Sequence, residues 1–172
     1  DKPLVFTPGS RFSYSNSGYV VLGYIIEQVS GTHYGVYLRD NIFQPLGMTS
    51  TGYDHNHLVL TDRASGYQRM GADKFWNADY IDMSMPHAAG GLYSTVEDLY
   101  LWDRALCTET LVSQSSLDSM FAPHEYGYGY GWLISELSNH KKIWHDEKIH
   151  GFVTVIDRFV DDDVVIVILS NI

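Results

Sequence analysis

Phe12-Ser13-Tyr14-Ser15-Asn16-Ser17-Gly18-Tyr19 is the stretch on which the reading of this chain turns. A Pro8-Gly9 turn leads into it, and a strongly amphipathic run ending at Ser30-Gly31 follows. In extended backbone, side chains two positions apart leave the same face, which would set the Tyr14 phenol beside the Asn16 amide. An unperturbed phenol titrates at about 10, and an amide both donates and accepts hydrogen bonds. The pair therefore suits proton transfer to a nucleophile and the holding of a substrate amide. The same residues also read as a loop whose Ser or Asn caps the following helix.

Working outward, apolar residues Val20, Val21, Tyr24, Ile25 and Val29 recur at helical spacing and predict a helix over residues 17–29, stopped by Gly31. Thr32 can cap a second helix carrying Tyr34, Tyr37, Leu38 and Ile42, which ends before Pro45-Leu46-Gly47-Met48. Residues 49–87 show no sustained period and read as a long irregular excursion; its Tyr67, Phe75, Trp76 and Tyr80 argue for order and for use as a site wall. Ser94-Thr95-Val96-Glu97 has the form of a capping box and opens a helix over residues 95–106, with a weaker helical signal over 113–121. After Pro123 the period changes: residues 128–135, 141–145, 151–159 and 163–169 are β-rich and separated by turns. Val164-Val165-Ile166-Val167-Ile168-Leu169 is apolar on both faces and predicts a central, covered strand. The expected class is α+β, a helical segment followed by an antiparallel β-meander. The whole of 1–172 is expected to form a single partial domain, helical and looped over 1–122 and stranded over 123–172.

Residues 8–48, reading PGSRFSYSNSGYVVLGYIIEQVSGTHYGVYLRDNIFQPLGM, resemble the serine β-lactamase and penicillin-binding-protein superfamily. The branch they look most like is that of class C β-lactamases, DD-peptidases and esterases. Two later stretches fit it in order: Ala89-Gly90-Gly91-Leu92-Tyr93-Ser94-Thr95 with Glu97-Asp98-Leu99, and the end from Tyr128-Gly129-Tyr130-Gly131-Trp132 through His145 and Gly151-Phe152 to Leu169-Ser170-Asn171. The resemblance implies a partial β-lactamase/transpeptidase-like fold and acyl-enzyme hydrolysis or transfer at an amide, lactam or ester carbonyl. It implies no cofactor and an extracytoplasmic setting. Carried over residue by residue, it makes Tyr14 the proton shuttle, Asn16 the holder of the acyl amide and His145 the residue that meets a substrate carboxylate. The Lys148 backbone N–H becomes one oxyanion-hole donor.

The family nucleophile is a serine on a Ser-x-x-Lys turn at a helix start. The one match, Ser138-Asn139-His140-Lys141, falls between two predicted strands, where the lysine would point away from the serine. The nucleophile segment is therefore expected to be absent, leaving a C-terminal portion that is inactive alone. Glu147 stands where the family has Gly, and a carboxylate there would obstruct substrate and repel an anion. That departure favours the alternative, a catalytically dead homologue acting as a peptidoglycan- or peptide-binding or structural module, in which His145 is a strand histidine with a satisfied hydrogen bond.

A formal net charge of −10 argues against nucleic acid, since binding phosphate relies on Lys and Arg. No apolar run reaches the roughly 18 residues of a membrane span. No metal is expected: Asp54-His55-x-His57 lacks the four-ligand pattern of zinc, and Asp161-Asp162-Asp163 lacks the spaced ligands of a calcium loop. Cys107 falls in the apolar register of its predicted helix and is expected to be buried. The Tyr-Gly alternation over residues 126–131 suggests either a carbohydrate platform or close backbone approach at a strand entrance. The expected partners are a small-molecule or peptide substrate and, over the last apolar strand, the missing N-terminal half of the same protein or a second copy in a dimer or swap.

Overall fold

The computed structural model describes residues 3–172. Helix α1 (Asn16–Ser30) begins where the Ser15 side chain accepts from the Gly18 N–H and ends at Gly31 in the left-handed region. Glu27 near its end accepts from the Tyr34 N–H at 2.8 Å, which ties α1 to α2 (Tyr34–Leu38). The expected second helix is not uniform: a π-helical turn, Arg39–Phe43, follows α2 before the short α3 (Gln44–Leu46), whose Pro45 supplies no N–H to an α-helical ladder.

The excursion is less irregular than its sequence. It contains strand β1 (Gly52–Tyr53), the hairpin β2 (Tyr67–Arg69) and β3 (Phe75–Asn77), and a 3-10 turn at His87–Ala89. β1 pairs antiparallel with β4 (Leu92–Tyr93), just before Thr95 caps α4 (Val96–Ala105). Buried Asp98 of α4 accepts from the Ser50 N–H and the Thr51 hydroxyl, at 2.8 and 2.7 Å, which fixes the start of the excursion. α5 (Gln114–Met120) follows, capped by Ser113.

The rest is a four-stranded antiparallel meander in sequence order: β5 (Leu133–Leu137), β6 (His140–Ile149), β7 (Phe152–Phe159) and β8 (Val164–Ser170). Ile143, Leu106, Leu117 and Trp132 are buried between its inner face and helices α4 and α5, and Trp102 joins this core to Leu38, Phe43 and Met48. Three expectations need correction. The strand over 164–169 is an edge, not a centre: among the described residues β8 pairs only with β7, and Ile166 and Ile168 are exposed. β6 runs four residues further than its apolar pattern, because pairing to β7 as far as Ile149 carries the polar His145 to Lys148 run along with it. Cys107 is exposed, since α4 ends at Ala105 and the cysteine lies past the helix whose register would have buried it.

Candidate active site

Three pieces of chain meet at the open end of β6. Among the described residues β5 pairs with β6 only from His140 to Trp144, so from His145 onward β6 keeps β7 on one side and its other edge is free of them. Period-two alternation puts His145 and Glu147 on the same face as buried Ile143, and Asp146 and Lys148 on the opposite face. The second piece is the segment before α1. Its Phe12 ring lies 5.5 Å from the rings of both Tyr126 and Tyr128, and Tyr14 meets Tyr128 edge-on at 6.1 Å. The third is the Tyr-Gly stretch itself: a Cβ at Gly127 would stand 2.6 Å from the Ile134 carbonyl oxygen, and one at Gly129 would stand 2.3 Å from that of Met120. The alternation thus serves close backbone approach, and it aims Tyr128 at the sheet.

The polar centre is a chain of three side chains. The Tyr128 hydroxyl lies 3.1 Å from His145 Nε2, and His145 Nδ1 lies 3.4 Å from Glu147 Oε1. A carboxylate only accepts, so a proton on Nδ1 would face Glu147 and leave Nε2 to accept from the Tyr128 hydroxyl. Burial pushes the Tyr128 phenol up to about 12, with Tyr19, Tyr14, Glu147 and Asp146 adding to it. Tyr14 is raised in the same direction, first by burial and then by the charge of Glu147. Glu147 is itself raised above the usual carboxylate range by burial; His145 opposes this, Asp146 adds to it, and the Lys148 backbone N–H opposes it.

Of the residues singled out from sequence, Tyr14, His145 and Glu147 come together. Asn16 is the first residue of α1 and Ser15 before it is extended, so the backbone between Tyr14 and Asn16 keeps the geometry that the shared-face reading needs. Among the described residues no side-chain hydrogen bond joins Asn16 to the His145 cluster. The Lys148 side chain leaves the opposite face of β6, which places only its backbone near Glu147. Tyr128 was not singled out as a site residue; its partner is seventeen positions away, and its only signal was the Tyr-Gly repeat.

The excursion closes the same end. The Tyr67 N–H donates to the Asn171 carbonyl at 2.9 Å, and the Asn171 side-chain amide donates to the Ser65 carbonyl at 2.8 Å, which fastens the β2–β3 hairpin beside the end of β8. Phe75, Trp76 and Tyr80 remain exposed on it. Ser138 and Asn139 form the β5–β6 turn, both with positive φ, so Ser138 opens no helix. Both Asp54 carboxylate oxygens are taken by Arg63, at 2.9 and 2.6 Å, and among the described residues no group of three His, Cys, Asp or Glu side chains could hold a metal ion. Among the described residues no helix is long and apolar enough to cross a membrane.

A Tyr-x-Asn element leading a helix, set against a free-edged strand that carries a histidine, is the arrangement of penicillin-binding-protein-like serine hydrolases. The chain belongs to the beta-lactamase family, whose sequence model matches residues 1–172. It is 37% identical over 133 residues to PbpX of Bacillus subtilis (strain 168), which carries a penicillin-binding-protein name; the match covers 75% of this chain and 34% of that protein. The octameric penicillin-binding protein homologue of Pyrococcus abyssi superposes with a TM-score of 0.85 at 30% identity over 97% of this chain and 40% of that one. D-amino acid amidase of Ochrobactrum anthropi SV3, solved with D-phenylalanine, gives 0.84 at 26% identity over 95% of this chain and 52% of that one. The chain therefore spans about a third to a half of the length of these relatives.

Proposed function

We propose that residues 1–172 are the C-terminal portion of a serine hydrolase that forms an acyl-enzyme at an amide, lactam or ester carbonyl, its nucleophile coming from a segment N-terminal to this one. The observation that carries this reading is the convergence of Tyr14, through Tyr128, on the free edge of β6 beside His145. In the reaction the serine oxygen attacks the carbonyl carbon, its proton passes to Tyr14, and Tyr14 returns a proton to the departing amine or alcohol; water then repeats the sequence on the acyl-enzyme. Burial and the neighbouring carboxylates keep Tyr14 a phenol at neutral pH. To accept a proton it needs a cation close by, and the Lys of a Ser-x-x-Lys turn would supply one. The Lys148 N–H serves as an oxyanion donor in this scheme, and Asn16, at the mouth of α1, holds the acyl amide. The amidase likeness supports an amide among the substrates.

The test has two arms. In the full-length protein Tyr14→Phe should lower kcat for an activated ester by roughly 10²–10⁴-fold, the usual worth of a general acid–base group. Residues 1–172 alone should show no turnover above background. A covalent adduct on any serine of 1–172, seen by mass spectrometry, would refute the placement of the nucleophile. One observation favours a ligand-binding module: the Glu147 carboxylate on the site face of β6. That reading holds if the full-length protein binds acyl ligands and forms no adduct.

A further inference from the structure

The position that the resemblance assigns to a substrate carboxylate already faces one. Glu147 Oε1 lies 3.4 Å from His145 Nδ1, on the same face of β6 and two residues along, while His145 Nε2 is taken by the Tyr128 hydroxyl at 3.1 Å. With its proton on Nδ1, an imidazole turns its one donor toward Glu147 and its one acceptor toward the Tyr128 hydroxyl. In that tautomer His145 has no further donor for an incoming anion. Tyr14 and Tyr128 both feel the field of Glu147. The neighbouring cation, Lys148, projects from the far side of the strand and is exposed. Glu147 is half-exposed, with 47% of its side chain accessible, so its field reaches the open end of the site where a substrate would lie.

Resting on the reading of this site as a serine-hydrolase centre, we propose that Glu147 is a built-in carboxylate that occupies His145 in place of a substrate anion. The site then takes carbonyl substrates that are neutral or carry an ammonium next to the scissile bond, and it discriminates against those carrying a carboxylate there. Glu147 acts as a specificity-determining residue and, through His145 and Tyr128, as a positioning residue. A unit charge within about 4–6 Å shifts the balance between charged states by roughly 10–10³-fold, and partial exposure places this case at the low end.

The experiment uses the full-length protein and two p-nitroanilides matched in size, one with a free ammonium beside the acyl carbon and one with a carboxylate there. The wild type should favour the ammonium substrate in kcat/KM, and Glu147→Gln, which keeps the side chain's shape and acceptor, should move the ratio about tenfold toward the carboxylate. Because the readout is a ratio, a general loss of activity in the variant cancels. In the full-length protein, the imidazole ¹⁵N signals of His145 should show the proton on Nδ1 in the wild type and lose that preference in Glu147→Leu. A ratio that Glu147→Gln leaves unmoved, a wild-type preference for the carboxylate, or a proton on Nε2 would overturn the proposal while leaving the hydrolase reading intact. Absence of turnover and adduct with either substrate would overturn both.

Discussion

Replacing Asp103 with Asn tests the energetic account of how α4 is held to the sheet. Asp103 and Arg158 side chains are 2% and 1% accessible, and Arg158 Nε donates to Asp103 Oδ1 at 2.5 Å. Arg158 Nη2 also reaches the Asp103 carbonyl at 3.3 Å, and the guanidinium lies 5.1 Å from the Phe121 ring and 5.6 Å from that of Trp132. Among the described residues Arg158 Nη1 has no hydrogen-bond partner. Asn keeps the shape at 103 but removes the counter-charge, which leaves a cation in the core with one terminal nitrogen already unsatisfied. Breaking a buried pair from one side costs about 3–5 kcal/mol. At roughly 2–4 °C per kcal/mol for a domain of this size, the melting temperature should fall by about 6–20 °C. Replacing both partners with apolar residues, Asp103→Leu with Arg158→Met, removes the stranded charge at 158 while Arg104, which also bonds Asp103, keeps Asp163, and should recover most of that loss. Urea unfolding of the wild type, both single variants and the pair closes the cycle. The reasoning fails if Asp103→Asn costs less than about 1 kcal/mol, or if the double variant is no more stable than Asp103→Asn.

Two further outcomes are expected. Tyr128 is held up to about 12 against an unfolded value of 10.0, chiefly by burial, so the folded state favours its protonated form. The associated stability is complete below about pH 10 and is lost as pH rises toward about 12; Tyr128→Phe should flatten the fall in that window, and a denaturation series unchanged by the variant would contradict the assignment. Residues 1–172 should bind a hydrophobic dye or self-associate at micromolar concentration, because Val21 and Val29 on α1 and Ile166 and Ile168 on β8 are 55%, 84%, 45% and 54% exposed. Each such side chain is worth roughly 1.5–3 kcal/mol when fully buried. Sedimentation as a monodisperse species that takes up no dye would count against a covering partner, whether the rest of the same protein or a second copy.

Local rules were legible wherever local chemistry decides the outcome. Ser15 caps α1 and Gly31 ends it, while α2 and α4 are capped one residue later than Thr32 and the Ser94 of the capping box, by His33 and Thr95. The meander was legible from its period and its turns. What stayed hidden depends on partners far along the chain. Apolarity on both faces of residues 164–169 says that the strand wants cover, but it does not say how many neighbours pair with it, and β8 has β7 alone among the described residues. Asp146-Glu147-Lys148 falls between the predicted strands, yet the ladder to β7 carries it on as strand, and that extension is what brings Glu147 within reach of His145. Arg158 and Asp103 are fifty-five positions apart, with no spacing to announce them.

Tyr14 is located by contacts that α1 also controls. Ser15 caps the helix immediately after it, and Phe12 and Tyr14 rest on Tyr128. The far side of α1 is held at Gly23, where a Cβ would stand 2.4 Å from that of Ala88 and 3.0 Å from His87 Nε2. The helix is therefore wedged between the His87–Ala89 turn and the aromatic contact at its mouth, while its apolar residues Val21, Ile25 and Val29 face outward. Any surface that covers those residues presses on the element that sets the position of Tyr14.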